Sequence, residues 1–456
     1  MKQRLINITA KILPYVPVTL AFIVIVWLYW WLLSQTTGSL IGFGWRGDAY
    51  DSLATSLLQG SAEVAPSKIQ VEAFSVNGQT FMYFGPFPGI FRVPFVMAQS
   101  PWVDKLSPLS CFVACLISIV AFTSICATHA RRFPFLGAAL LIGFGAGTPL
   151  MFLAISTSIY HEAIMWGLAG AMGATASLLM ILRKAASPHL WLSVCALSAT
   201  IAFLSRMTFG GPAFLALGIG VLAIVFTSRF SWVKTPSALL PALIGVVFQG
   251  WYNFVRFGSP FSPAKFGSSV YYLDPNSMGG WFNTARIPEL FGIYFKPGLQ
   301  FFFADFPFVR MQRVVFSDPS MFFHWKEPVA PLTITCSWIV VLAVIGLISI
   351  IRRKEWYLAA AAVAFLATWI PILSFFNVTE RFTAEFIPTL VFLTACGIER
   401  CRPLAESWML KIITVVLVCA SVLSTVSSAI AWPPMVTGVP LVSEGIDKAF
   451  RATYSN

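Results

Sequence analysis

Long apolar runs separated by short polar segments dominate the chain. Eleven of these runs are long enough, or nearly so, to cross a hydrocarbon core of ~30 Å at about 1.5 Å per helical residue. They are Pro14–Leu33, Leu109–Thr128, Pro134–Ser156, Ala163–Leu182, His189–Ser205, Gly210–Ser228, Pro236–Phe254, Ala330–Ile351, Trp356–Phe376, Phe382–Ile398 and Ile412–Ile430. The pattern predicts an all-α integral membrane protein with about eleven transmembrane helices, read as one transmembrane domain over 1–456. Two intervening segments, 34–108 and 255–329, are too long for turns and rich in Phe, Tyr, Trp, Gly and Pro. Connections of that length tend to be functional or disordered, and their aromatic content argues against disorder.

The first long segment has a pattern of its own. Tyr50, Leu53, Ala54, Leu57 and Leu58 recur at i, i+3, i+4, i+7 and i+8, which predicts an amphipathic helix ending near Gly60. Ile69–Val76 and Gln79–Phe84 flank Asn77-Gly78, a strong signal for a small hairpin. Tyr83-Phe84-Gly85-Pro86-Phe87-Pro88-Gly89 then breaks regular structure on the way back to the bilayer.

Composition removes the soluble alternative. Only 11% of residues are charged and the mean hydropathy is +0.79, against ~25% charged residues in soluble domains. The net charge of +12 would suit a polyanion-binding protein, but its distribution gives it another meaning. Lys2, Arg4, Lys11, Arg131, Arg132, Arg183, Lys184, Arg229, Lys234, Arg352, Arg353, Lys354, Arg400, Arg402 and Lys411 all fall in alternate connections. The short connections on the other side hold only Arg206 and Arg381. The basic side is therefore expected to be cytoplasmic, with the N-terminus inside. Its only acids are Glu355, Glu399 and Glu406, so this face carries the whole surplus and the outer face is neutral. No nucleic-acid partner is implied; the partner is the bilayer.

The first apolar run is longer than a ~7–15-residue signal-peptide core and lacks an A-x-A site, so it is expected to stay as a span. The eight cysteines (Cys111, Cys115, Cys126, Cys195, Cys336, Cys396, Cys401 and Cys419) lie in spans or on the inner side. They imply neither a structural disulfide nor a zinc site.

Candidate chemistry gathers at the outer ends of the spans. Asp48 opens the amphipathic helix. A free carboxyl has a pKa of ~3.9 and is ionised at neutral pH, so it can accept a proton. Equally, Asp48 at the N-cap with Asp51 at N3 suits a capping arrangement. Tyr160, His161 and Glu162 sit at the outer junction of the third and fourth spans, where Glu162 also suits the helix dipole. Arg206 and Arg381 are costly near the bilayer unless they snorkel, pair, or hold an anion such as phosphate. For Arg381 the pairing alternative is Glu380 or Glu385. Arg256 and Lys296, in the second long segment, are either phosphate contacts or ordinary solvated cations. The aromatic runs Phe301–Phe303 and Phe322–Trp325 suit interface anchors. There is no P-loop, no GxGxxG after a strand, no HExxH and no GxSxG.

These residues, in order, resemble the GT-C superfamily of polytopic glycosyltransferases. They are Gly47-Asp48-Ala49-Tyr50-Asp51-Ser52-Leu53-Ala54, Tyr83-Phe84-Gly85-Pro86, Tyr160-His161-Glu162, Arg206, Asn253 with Arg256-Phe257-Gly258-Ser259-Pro260, Phe291–Pro307, and Glu380-Arg381-Phe382 ending in Phe386-Ile387-Pro388. The similarity is greatest to the branch of lipid A aminoarabinose transferases and protein O-mannosyltransferases. It implies an inverting transfer from a polyprenyl-phosphate sugar donor to a glycolipid or polysaccharide acceptor. The setting implied is the periplasmic face of a bacterial inner membrane. The family's first-loop acid falls on Asp48, with Asp51 as a stand-in. Arg206, Arg381, Lys296 and Arg256 would contact the donor phosphate, and Tyr83, Tyr160, His161, Glu162 and Glu385 the substrates. The chain lacks the Asp-x-Asp or adjacent double-acid form of some members; no cofactor is required by this reading, and a divalent cation stays open. About 25 residues follow the last run, so an oligosaccharyltransferase-like member with a large soluble C-terminal domain is not expected. The alternatives are a polysaccharide polymerase or ligase of the O-antigen type, which would rely on paired arginines in an outer loop, and a lipid-linked sugar flippase. The scarcity of mid-span charge counts against transport.

Overall fold

The computed structural model describes residues 13–34, 38–130, 133–155, 157–261, 279–298, 311–322, 327–400 and 407–437. Lys2, Arg4, Lys11, Arg131, Arg132, Arg402, Glu406, Cys401 and the aromatics Phe301–Phe303 and Phe323–Trp325 lie outside them.

The chain is a helical bundle with two small two-stranded ribbons. The helices are α1 Val16–Leu33, α2 Ala49–Leu58, α3 Phe87–Met97, α4 Ser107–Ala130, α5 Pro134–Ala146, α6 Pro149–Ile155, α7 Ile159–Leu182 and α8 Pro188–Ser205. They continue with α9 Met207–Phe226, α10 Lys234–Phe257, α11 Ile287–Phe295, α12 Ser337–Arg352, α13 Trp356–Ala367, α14 Ile387–Arg400 and α15 Trp408–Thr437. Among the described residues, nine helical stretches are long and apolar enough to cross a bilayer. All eleven sequence-predicted runs fall on helices. The third is broken, α5 and α6 meeting at a 43° bend, and the eighth, α12, has 16 residues. The break has a local cause: Gly147 ends α5 and Pro149, which lacks an N–H, starts α6. The outcome is a multi-pass membrane protein.

α7 and the stretch Glu380–Glu399 are buried almost all round and form the centre of the bundle. α1, α10 and α15 bury one stripe and present apolar side chains such as Leu20, Ile23, Val24 and Trp27 outward, as lipid-facing helices do. Small residues set the crossings. A Cβ on Gly170 of α7 would run into the α8 backbone at Ser198 and Ala202, and one on Gly397 would come within 2.7 Å of the Gly346 Cα. Between apolar helices in lipid, close backbone approach and buried hydrogen bonds replace the hydrophobic driving force. Here Tyr29 donates to the Gly145 carbonyl at 2.6 Å and Trp166 to Ser110 Oγ at 2.9 Å.

The first long segment folds onto the outer end of this bundle. α2 has the predicted bounds to within a residue, and Gly60 follows it with φ +73°. The hairpin pairs β1 Ala73–Val76 with β2 Gln79–Met82 around Asn77 and Gly78, both at positive φ. β1 starts four residues later than the sequence suggests, because Pro66–Ile69 and Gln70–Glu72 form helical turns. α3 is an element the sequence reading lacks: Pro88 is tolerated in its first turn, and Pro94 forfeits one backbone bond inside it. α2, the hairpin, Phe84, Ile159, Ala163 and Tyr252 make a second apolar cluster that seats this segment on α7 and α10.

The glycine crossings are testable. Gly346→Ala drives a Cβ into the Leu393 carbonyl, whereas Gly218→Ala meets open space. The first is expected to cost about 1–3 kcal/mol and to lower the melting temperature of the detergent-solubilised protein. Gly218→Ala should melt with the parent protein.

Candidate functional site

Arg92 of α3 organises the outer end. Its side chain is fully buried together with Asp51 and Glu162. Nη1 donates to the Gly47 carbonyl and to Asp51 Oδ2 (2.9 Å); Nη2 donates to both Glu162 oxygens (2.8 and 2.7 Å) and to Ser107 Oγ (3.0 Å). One guanidinium thus ties α2, the strand-like entry to α2, α4 and α7 together. Gly44 and Gly47 permit this, since a Cβ on either would collide with the Ser107 side chain. Burial pushes the Asp51 carboxyl up, and the Arg92 charge beside it pulls it back.

Asp48 lies between these fixed points. It occupies the N-cap of α2, yet its carboxylate makes no capping bond and is half-buried. The capping explanation for Asp48 is therefore wrong: φ −65° and ψ −12° are helical, whereas a capping residue has extended torsions that turn its side chain back on the N–H groups. Among the described residues this carboxylate has no hydrogen-bond or ion-pair partner.

Three residues before Asp48, Trp45 pairs through its backbone with Ser158 and stacks on Tyr160 at 5.8 Å. The Arg381 guanidinium lies 4.4 Å from the centre of the Tyr160 ring and 5.9 Å from Phe382. Arg206 sits 4.9 Å from the same Phe382 ring, so the two arginines flank one aromatic residue. Arg381 pairs with Glu327 (3.0 Å), not with Glu380 or Glu385. Glu380 instead accepts from the Ala330 N–H at 2.8 Å, and Glu385 holds Arg206 Nε at 2.7 Å. Both arginines keep donors in reserve: Arg381 Nε is buried without a partner, and Arg206 bonds to described residues through Nε alone. Arg206 is placed by a chain break, its extended φ −160°, ψ 123° separating α8 from α9. Gly85 packs against that corner so closely that a Cβ would overlap the Leu204 and Ser205 carbonyls. Tyr83 and Tyr160 both donate to Glu72, which is 2% exposed.

The sequence-predicted residues thus separate into groups. Tyr83, Tyr160, Arg206, Arg381 and Glu385 collect around the Tyr160–Phe382 wall, and Asp48 follows three residues after Trp45, which stacks on Tyr160. Asp51 and Glu162 belong to the sealed Arg92 network, so Asp51 is no accessible base and Glu162 orients Arg92 rather than Arg206 or an acceptor. His161 is 1% exposed, its ring against Phe152 at 5.6 Å and its N–H capped by Ser158, which leaves it no access to a substrate. Arg256 is spent on the Tyr252 and Met82 carbonyls and Asn253 Oδ1, bracing the hairpin against α10, and is no free phosphate ligand. Lys296 is exposed beyond α11 and joins none of these groups. Among the described residues no three His, Cys, Asp or Glu side chains gather as metal ligands. Arg92, Glu72 and Glu327 were missed. Their signal was faint: Arg92 and Glu72 are lone charges inside apolar runs, Phe-Pro-Gly-Ile-Phe-Arg-Val-Pro and Val-Glu-Ala-Phe.

No family model matches the chain, and no curated protein does. Among solved structures it is similar to the oligosaccharyltransferase of Archaeoglobus fulgidus in the apo form, at 12% identity and TM-score 0.46, over 95% of this chain and 59% of that one. It is also similar to archaeal oligosaccharyltransferase AglB from Archaeoglobus fulgidus in complex with an inhibitory peptide and a dolichol-phosphate (12% identity, 95% and 59%, TM-score 0.44). A third is the Archaeoglobus fulgidus enzyme tethered to an acceptor peptide (11% identity, 95% and 58%, TM-score 0.44). The chain spans about three fifths of the length of these structures.

Removing Arg92 leaves two buried carboxylates without their counter-ion. Arg92→Ala is expected to cost about 3–5 kcal/mol, seen as a large drop in melting temperature together with protease cleavage in the 38–106 segment. A variant that melts and resists protease like the parent would show that the network does not hold this segment.

Proposed function

We propose that this protein is a membrane glycosyltransferase of the GT-C type, inverting, with Asp48 as its catalytic base. The donor is a polyprenyl-phosphate sugar and the acceptor a hydroxyl of a glycolipid or polysaccharide. The work is done at the periplasmic face of a bacterial inner membrane. One observation carries this reading: Asp48 is uncommitted while its neighbours on both sides are locked by Arg92, at the same end of the bundle as Arg206 and Arg381.

The chemistry needs few parts. The acceptor oxygen attacks the anomeric carbon, the bond from that carbon to the phosphate oxygen breaks, and the sugar inverts. The acceptor proton passes to the Asp48 carboxylate, and the bonding pair leaves with the prenyl phosphate. A phosphate is already a stable anionic leaving group, so no strong general acid is called for; cationic donors hold it as its charge grows. Arg206 and Arg381 suit that task because each keeps unspent N–H groups, and a guanidinium can meet two phosphate oxygens at once. Their carboxylate partners, Glu385 and Glu327, hold each fork in place. A glycosidase, which must protonate a poor leaving group, needs a second working carboxylate; here Asp51 and Glu162 are both tied to Arg92. Tyr83 and Tyr160, anchored by Glu72, would shape the acceptor approach.

Purified protein incubated with a synthetic prenyl-phosphate sugar and mixed acceptors tests this. Prenyl phosphate should be released and a glycosylated acceptor formed. Asp48→Asn should lower turnover about 10²–10⁴-fold with the melting temperature unchanged. Normal turnover in that variant removes the mechanism, and translocation of the donor without turnover replaces the enzyme with a transporter. Arg206→Gln and Arg381→Gln should chiefly raise the donor KM.

A further inference from the structure

We propose that the end of the bundle opposite Asp48 carries a binding site for one anionic phospholipid. Two adjoining shallow clefts lie there between α4, α5, α12, α14 and α15, each with a cavity volume of about 20 Å³. They share Leu136, Leu140 and Ile398, and their walls are almost wholly hydrocarbon. Such walls offer a polar solute nothing to bond to, and suit an acyl chain. The place in the fold is fixed by the helices themselves: Ser107 starts α4 beside Arg92, whereas Phe122, Cys126 and Phe133 lie towards the far end.

Two cations stand at these clefts. Lys411 Nζ lies 5.6 Å from the ring centre of Phe133, a wall residue, and makes no ion pair among the described residues. Leu410, its neighbour in sequence, lines the second cleft. Arg183, at the end of α7, is held through Nε by Glu399, the residue after Ile398. Its Nη1 and Nη2 are buried and lack acceptors among the described residues. Leaving such donors unmet at the end of a membrane helix is costly, so the pair Arg183 and Lys411 calls for an anion. A phosphodiester headgroup supplies the acceptor oxygens, and an acyl chain of the same lipid lies along the apolar walls. Basic pockets between spans on the inner side are a recurring place for anionic headgroups, and this end is the one the basic residues mark as inner. Free phosphate leaves the clefts unexplained, and a zwitterionic phospholipid brings a cation of its own against Lys411 and Arg183.

The test uses the full chain, delipidated in a non-ionic detergent and offered phosphatidylglycerol, phosphatidylcholine or a polyprenyl phosphate, with bound lipid counted by native mass spectrometry. One phosphatidylglycerol should be retained per chain, about tenfold more tightly than phosphatidylcholine. Lys411→Gln, which breaks no ion pair, should remove most of that preference. Arg183→Gln should do the same, but it also breaks the Arg183–Glu399 ion pair, so Lys411→Gln decides if Arg183→Gln fails to fold. Equal retention of the two phospholipids, unchanged preference in Lys411→Gln, or retention of polyprenyl phosphate alone would each overturn the proposal. None of these outcomes bears on Asp48, so this site and the proposed transfer stand or fall separately.

Discussion

A single guanidinium shared by two carboxylates holds the outer face together. Arg92, Asp51 and Glu162 are shut away from solvent, and the arginine also binds the Gly47 carbonyl and Ser107. Desolvating three charges is expensive, and good geometry repays it only when the remaining donors and acceptors are met. Most are met here; Asp51 Oδ1 and Arg92 Nε are the exceptions. The return on this arrangement is position. Four pieces of chain far apart in sequence, Gly47–Asp51, Arg92, Ser107 and Glu162, are brought to one point. Asp48, in the middle of the first piece, is carried by its neighbours while its own carboxylate stays uncommitted.

The second half of the site is built from aromatic faces. Trp45 stacks on Tyr160, Arg381 covers Tyr160, and Phe382 lies between Arg381 and Arg206. A guanidinium over a ring is stabilised by the ring's negative face while its edge N–H groups remain usable. That is how two arginines sit beside a bilayer, partly paired with Glu327 and Glu385, and still keep donors for an anion. The arrangement joins the first long segment, through Trp45 and Tyr160, to the Glu380–Glu399 stretch.

Close approach makes both halves possible. Gly44 and Gly47 admit Ser107, Gly85 admits the carbonyls at the end of α8, and the glycines of α7 admit α8. Each of these contacts is between backbones or at backbone distance, where one methyl group would force a shift.

The sequence by itself determined the solvent and the elements. Apolar run length required spans, the alternation of basic connections implied an orientation, and Asn77-Gly78 and the Tyr50–Leu58 periodicity marked the hairpin and α2. These are local signals, set by 1.5 Å per residue, by φ > 0 and by helical period. Asp48, Arg206 and Arg381 stand out in the sequence as charges at the edges of apolar runs, and their roles are proposals. Which charge meets which was decided only by the tertiary structure. Glu162 went to Arg92, Arg381 to Glu327, and Arg256 to backbone carbonyls, because pairing depends on how helices cross, and crossings depend on contacts between residues distant in sequence. For the same reason the sequence left Asp48 between a cap and a base, and the packed structure shows that its side chain makes no capping bond.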